Sequence, residues 1–256
     1  MINSLEAMLE RFHRDGVAVI SAVIDATMVA KLHSELCSAI EQDLQSYPNV
    51  FDAGMVHNCM FRGQQMASLL DCEEMNEFVA QILSPTFIVY AYQSSSLSPS
   101  SGNYGSRVHV DSPRLIPGYV TNLGAIFPLN DFTLDNGATY YLPGSQNLEQ
   151  PPTDEEFYES AKRIEAKAGD LILFHGRVYH AAGINNTEHS RHSLTINFCR
   201  SYMRQRFDYP RMMNQQNIEQ FSDNTKKLMG WNVRVPTHLD QFYLPESERL
   251  YKPNQG

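Results

Sequence analysis

The sequence predicts a mostly β protein, with short strands closed into a barrel or sandwich and helices packed against the outside. Three observations carry this expectation. Apolar positions recur at helical spacing through residues 1–85, and seven short apolar or alternating runs separated by turn residues fill residues 86–203. No repeat, low-complexity tract or linker interrupts the 256 residues, a length that one large β domain can use.

The elements follow in order. Leu5, Met8, Leu9 and Phe12 mark one face of a first helix. Residues 17–23 are β-branched and read as a strand. Asp25 can cap a helix running to about Tyr47, with Met28, Leu32, Leu36 and Ile40 on one face, and Pro48 ends it. Residues 48–63 are poorly periodic. A further helix is expected from about Cys72 to Leu83. Strands are expected at 86–95, 106–110, 118–129, 138–142, 163–167, 170–175 and 191–203, punctuated by turn residues such as Asp135-Asn136-Gly137 and Pro143-Gly144. The polar, proline-punctuated tail, 204–256, is expected to cover the barrel mouth. One domain results: 1–85 mainly helical support, 86–203 the β core and 204–256 a C-terminal cover.

Composition narrows the function. Apolar residues make up 42%, enough for a sizeable core, and the net charge is −9 with histidine neutral. That balance argues against nucleic acid as a partner, because phosphate recognition needs a basic footprint. No run of about 18 apolar residues is present, so no membrane-spanning helix is expected. The first residues lack the basic-then-apolar pattern of a secretory signal. Cys37, Cys59, Cys72 and Cys199 are scattered without a Cys-x-x-Cys pair, which reads as reduced thiols in a cytoplasmic protein.

The chemistry concentrates in a few residues. In the extended stretch Val108-His109-Val110-Asp111, His109 and Asp111 point to one face. Two histidines and one carboxylate form the facial ligand set of non-haem Fe(II) oxygenases, which leaves three coordination positions open. Two later histidines, His175 and His180, both follow the apolar run 171–174 and compete for the third place. Arg191 opens the returning strand and suits a bidentate pair with a carboxylate, with the Ser193 hydroxyl two positions on along the same face. An ordinary surface arginine and a plain strand serine are the competing readings.

At these residues the chain resembles the phytanoyl-CoA dioxygenase family. The family's His-x-Asp matches His109-Val110-Asp111. Its strand, Asn-Gly turn and Pro-Gly-Ser match Phe127-Pro128-Leu129-Asn130-Asp131, Asn136-Gly137 and Leu142-Pro143-Gly144-Ser145. Its late Gly-Asp, apolar strand, His and Arg match Gly169-Asp170 with Leu171-Ile172-Leu173-Phe174, His180 and Arg191. The opening Phe12-His13-Arg14-Asp15-Gly16-Val17-Ala18-Val19-Ile20 is also similar. The likeness runs from about residue 10 to about residue 200. It departs at Gln146, where the family often has His after Pro-Gly-Ser, a position that is not a ligand in the pattern.

The resemblance implies a double-stranded β-helix, the cupin-like jelly roll, and an Fe(II)- and 2-oxoglutarate-dependent dioxygenase. His109, Asp111 and His180 would be the metal ligands, and His175 a polar residue beside them. Arg191, with Ser193, would hold the distal carboxylate of 2-oxoglutarate. With O2, a small organic substrate would be hydroxylated or otherwise oxidised, releasing succinate and CO2. The carboxylate at Asp111 favours this over halogenation, because related halogenases have a small residue there to make room for halide. Tyr90, Tyr92, Gln93, Tyr104, Arg114, Asn122 and Tyr140 lie on segments near the expected mouth and are candidate substrate residues, and the glycine-rich stretch 101–106 is expected to be a mobile loop beside them. Two other classes remain: a jelly-roll metalloenzyme that does not use 2-oxoglutarate, for which Arg191 has no purpose, and a non-catalytic ligand-binding jelly roll, which needs no facial triad.

Overall fold

The computed structural model describes residues 5–50, 52–100, 104–215 and 218–255. Helices are α1 (Leu5–Asp15), α2 (Ala26–Ser46), α3 (Gln64–Ser68), α4 (Glu73–Ile82), α5 (Asp154–Ser160), α6 (Tyr209–Gln215), α7 (Asp223–Leu228) and α8 (Leu239–Phe242). Strands are β1 (Val17–Ile20), β2 (Ile88–Leu97), β3 (Asn122–Pro128), β4 (Thr139–Tyr141), β5 (Lys162–Ile164), β6 (Leu171–His175), β7 (His180–Ala181) and β8 (Arg191–Cys199). Five strands form an antiparallel sheet in the order β1-β6-β3-β8-β2, and three form a second sheet, β5-β4-β7. Together they make the jelly-roll core, with helices flanking it.

Strand alternation decides what each face meets. On β8, Leu194, Ile196 and Phe198 join Leu123, Ala125 and Phe127 of β3 in an apolar cluster with α1, α2 and α4. Phe12, Leu32, Leu36 and Phe78 supply the helical side of that cluster, each wholly buried. The opposite face looks toward the second sheet. At one end the two sheets close over Val17, Ile172 and Phe174 from the large sheet and Tyr141 and Ile164 from the small one. At the other end they stay apart around a cavity.

Local chemistry sets the junctions. The Asp25 carboxylate accepts from the Met28 amide at 2.7 Å and caps α2 as expected. Helix α1 stops at Gly16, whose φ of +81° suits glycine, and a Cβ there would lie 2.7 Å from Gln146 Oε1. Gln146 in turn donates from Nε2 to the His13 carbonyl at 2.9 Å, so the residue that departs from the family pattern fastens α1 to the barrel. Gly169 and Asp170 tie two distant segments. Gly169 has φ +92°, and a Cβ would lie 2.4 Å from the Ile24 carbonyl. The buried Asp170 carboxylate accepts from the Ala22 amide at 2.9 Å and from the Lys167 amide at 2.7 Å, bracing the β1–α2 turn against the start of β6.

The structure differs from the sequence expectation in several places. Residues 106–110 do not form a strand; a single bridge at His109 joins them to β7. The strand expected at 118–129 begins at Asn122. Helix α5 was not anticipated, although Thr153 and Glu156 form a capping box that signals its start. Among the described residues of the tail, Arg206, near its beginning, is the one that lines the cavity. Tyr209, Met213, Phe221, Leu228 and Met229 bury themselves in the helix-side cluster, and Ser222, Asn224 and Thr225 bond to Asp71. Apolar side chains took the available apolar surface, which lies behind the large sheet and not at the polar mouth. The tail and helical layer also leave the described chain with more helix than strand, 36% against 21%.

Removing the Asp170 carboxylate strands two amides of the β1–α2 and β5–β6 turns. Asp170→Ala is expected to lower stability by roughly 2–4 kcal/mol, read as a lower urea midpoint at unchanged denaturant dependence. A midpoint equal to that of the parent protein would remove Asp170 from this bracing role.

Candidate metal centre

The site begins with a backbone pairing. The His109 amide donates to the His180 carbonyl and the His180 amide to the His109 carbonyl, both at 3.0 Å. This reciprocal pair sets the two imidazoles side by side, with ring centroids 4.3 Å apart. Each ring is then fixed by the carbonyl two residues before it. His109 Nδ1 lies 2.8 Å from the Arg107 carbonyl, and His180 Nδ1 lies 3.0 Å from the Val178 carbonyl. A carbonyl only accepts, so both Nδ1 atoms carry the proton and both Nε2 atoms present a lone pair.

Those lone pairs face one carboxylate. Asp111 Oδ1 is 3.7 Å from His109 Nε2 and 3.9 Å from His180 Nε2. One ligand atom from each of the three residues lies within 4.8 Å of the others. Burial, and then the neighbouring His180, hold His109 below its ordinary pKa. Three electron-pair donors converging in this way, with tautomers set by outer carbonyls, suit a divalent cation. The Phe174 ring supports His180 from 5.3 Å, and its place requires Gly124, since a Cβ there would meet the ring at 2.1 Å.

Arg191 lies on β8 in the same cavity, only 2% exposed. Its Nη1 donates to the Gly137 carbonyl, its guanidinium carbon sits 4.0 Å over the Phe132 ring, and its Nε is buried with no partner. No carboxylate forms an ion pair with it among the described residues. Burial, and then the positive Arg163, pull its pKa down to about 9. A desolvated cation with an idle donor fits a bound anion. Ser193 is also buried on this face, its hydroxyl donating to the Ser95 carbonyl at 3.1 Å.

The cavity of about 530 Å³ is lined by His109, Asp111, His180, Arg191 and Ser193 together. Gln93, Asn122 and Tyr90 line it too. Gln93 Oε1 accepts from Arg206 at 3.0 Å, and Asn122 Oδ1 is buried with no partner. Arg114 is exposed and outside the lining. Tyr92 turns into the helix-side core, its hydroxyl donating to the Met66 carbonyl at 3.0 Å. Tyr140 packs on Tyr158 and under Arg163, also outside the lining. The Tyr104 side chain and residues 101–103 lie outside the described residues. The sequence reading missed Thr195 and Asn197, which continue the cavity face of β8, and Arg206. The alternation Arg191, Ser193, Thr195, Asn197 against Leu194, Ile196, Phe198 was the available signal: a strand with a polar stripe toward a barrel interior.

The competing His175 does not join this cluster. Its Nδ1 accepts from the Arg177 amide at 2.9 Å and its ring packs 5.8 Å from that of Phe12. Burial, followed by the charge of Arg177, lowers its pKa to about 4.

With fold and geometry in hand, comparison with known proteins identifies a family. The family model for phytanoyl-CoA dioxygenase matches residues 12–193, and the chain belongs to that family. The Mycobacterium tuberculosis protein Rv1501 is 28% identical over 264 residues, covering 99% of this chain and 96% of its own length. Dioxygenase cdmA of Talaromyces verruculosus is 25% identical over 275 residues, covering 96% of this chain and 90% of its own. Among solved structures, AviO1 from Streptomyces viridochromogenes matches with a TM-score of 0.65 at 21% identity, covering 78% of this chain and 96% of that one. The non-heme alpha ketoglutarate dependent epimerase SnoN from nogalamycin biosynthesis matches with a TM-score of 0.61 at 20% identity, covering 77% and 80%. At these identities the structural likenesses establish the fold.

The depressed pKa of His175 has a measurable consequence. Between about pH 4 and 6.5 the unfolded chain takes up a proton at this residue that the folded chain refuses, so stability rises with pH across that window and is lost as pH falls through it. The contribution is expected to be at most about 1.4 kcal/mol per pH unit. His175→Asn keeps an acceptor for the Arg177 amide without a titrating ring, so its unfolding free energy should fall less steeply between pH 6.5 and 4. Parallel profiles for the two proteins would contradict the assignment.

Proposed function

We propose that this chain is an Fe(II)- and 2-oxoglutarate-dependent dioxygenase that hydroxylates or otherwise oxidises a small organic molecule, with release of succinate and CO2. The reading rests on one arrangement: two imidazole lone pairs and a carboxylate share a cavity with a buried guanidinium that has an idle donor and no counter-ion. Family membership supports it, as does the likeness to SnoN, which has also been solved with Fe3+ and alpha ketoglutarate. We take residues 1–256 as a single oxygenase domain. No helix among the described residues is long and apolar enough to cross a membrane, and four free thiols suit a reducing, cytoplasmic setting.

In this reading His109, Asp111 and His180 hold the iron. The two imidazoles are oriented in advance by the Arg107 and Val178 carbonyls, so little ordering of the rings is left to do on binding. Iron, 2-oxoglutarate and O2 would supply the oxidising power when bound. Arg191 binds the distal carboxylate of the co-substrate, and Phe132 shields that ion pair from water. Ser193 lies beside it and becomes a second donor when its hydroxyl turns from the Ser95 carbonyl to the bound carboxylate. Gln93, Asn122, Asn197 and Arg206 offer hydrogen bonds to a polar substrate on the large-sheet side. Asp111 fills the position that a halide would need, which favours oxygen insertion or a related oxidation over chlorination.

The metal assignment has a direct test. His109→Ala and Asp111→Ala should each abolish stoichiometric Fe(II) binding under anaerobic conditions while keeping a cooperative unfolding transition close to that of the parent protein. Full iron retention in both folded variants would overturn the ligand set.

The co-substrate assignment has its own. Losing a buried, bidentate charged contact typically costs about 2–5 kcal/mol. Arg191→Ala should therefore weaken 2-oxoglutarate binding by on the order of 30-fold or more, with metal binding kept. Titration calorimetry on Mn(II)-loaded proteins reads it. An unchanged dissociation constant would remove Arg191 from the site, and a parent protein that binds no 2-oxoglutarate would favour a metalloenzyme that does without it.

A further inference from the structure

A second set of metal-ligating side chains lies on the opposite face of β8. His33 and Cys37, four apart on α2, share one helical face, and His192 reaches them from β8. One ligand atom from each lies within 4.8 Å of the others, and all three residues are half-buried. His33 Nδ1 is 3.6 Å from Cys37 Sγ. Tetrahedral coordination at ordinary zinc–nitrogen and zinc–sulfur distances separates an N and an S ligand by about 3.6 Å. The rings of His33 and His192 stand edge to face with centroids 5.2 Å apart.

The scaffold around the three is rigid. Leu32 and Leu36, each one position before a ligand, are wholly buried and fix the rotation of α2. The backbone of His192 is held from both sides: its amide donates to Asn130 Oδ1 at 2.8 Å, and its carbonyl accepts from the Leu129 amide at 3.0 Å. Ser96 Oγ lies 2.8 Å from His192 Nδ1, so Nε2 is the ring nitrogen left to an ion. Burial, and then the negative charge of Glu41 one helical turn beyond it, raise the pKa of the Cys37 thiol, so the ion has to displace its proton.

We infer that His33, Cys37 and His192 form a second metal site, of His2Cys type, for a thiophilic divalent ion of the zinc class. Its ligands differ in kind from the nitrogen and oxygen set at His109, Asp111 and His180, so the two sites favour different metals. Binding replaces the S–H bond of Cys37 by a sulfur–metal bond, and the proton leaves to solvent. The fourth position is open to water. An ion there pins α2 to β8 directly behind Arg191.

Cobalt(II), a spectroscopic stand-in for zinc, tests this without reference to the first site, because only the second contains sulfur. Anaerobic titration of the reduced full-length protein with Co(II) should produce a sulfur-to-cobalt charge-transfer band in the near ultraviolet that saturates by two equivalents, one for each site. Cys37→Ser should abolish the band. His33→Asn should weaken the apparent affinity by at least about tenfold, and Asp111→Ala should leave the band in place. No band in the parent protein, a band that survives Cys37→Ser, or an affinity unmoved by His33→Asn would each overturn the site; a band lost with Asp111→Ala would overturn its independence. Half-buried Cys37 and His33 are substituted separately, so a folding defect in one variant leaves the other to decide.

Discussion

The two hydrogen bonds exchanged between the backbones of His109 and His180 are the constraint on which the rest of the site depends. Residues 106–110 form no strand, so this bridge, with the Ala182 amide on the Gly105 carbonyl and the Ser112 amide on the Gly176 carbonyl, sets where His109 and Asp111 stand relative to β7. The same peptide geometry makes the carbonyls of Arg107 and Val178 available to the two Nδ1 atoms. Ring position and tautomer are therefore set by main-chain atoms, which no side-chain motion can relax. Phe174 packs behind His180 and needs the missing Cβ of Gly124, so the placement reaches into the centre of the large sheet.

A polar barrel interior is costly, and the fold shows where the cost is offset. Arg191, Ser193, Thr195 and Asn197 all turn inward from β8, and Arg191 Nε and Asn122 Oδ1 are buried without partners. Neither sheet's inner face can be packed like an ordinary core at that end. The compensating apolar burial lies outside the barrel, where the other face of the large sheet meets α1, α2 and α4. Burying methylene and ring surface there contributes about 25 cal/mol per Å². The tail adds to it with Tyr209, Met213, Phe221, Leu228 and Met229. The helical layer is thus what permits a cavity lined by unsatisfied polar groups, and residues that seem remote from the site help to stabilise it.

Strand β8 carries both halves of this arrangement. Successive residues serve opposite faces: Arg191 looks into the cavity, His192 toward α2, Ser193 into the cavity again. The period of two makes the two sites neighbours in sequence while the sheet separates them in space.

Much of the fold is written in local sequence, because the signals are local. Asp25 as a cap, the apolar faces of α1 and α2, the Asp135-Asn136-Gly137 turn and the runs at 171–174 and 191–199 each report on neighbours within a few residues. His109 and Asp111 on one face follow from two-residue alternation alone. What the sequence could not decide concerns partners far along the chain. Residues 106–110 have strand-like composition but pair with a neighbouring strand only through the bridge at His109 among the described residues. The tail looks like a polar cover, yet its apolar side chains were drawn to the apolar back of the sheet. His175 and His180 are equivalent as residues after an apolar strand; the turn at Gly176 sends one toward Phe12 and the other toward Asp111. Cys37 and His192 are 155 positions apart and carry no shared motif. The sequence by itself determined the elements, their amphipathic faces and the residue types able to bind metal and carboxylate. Only the tertiary structure decided which of them converge, because convergence is set by long-range strand pairing and burial that no local window contains.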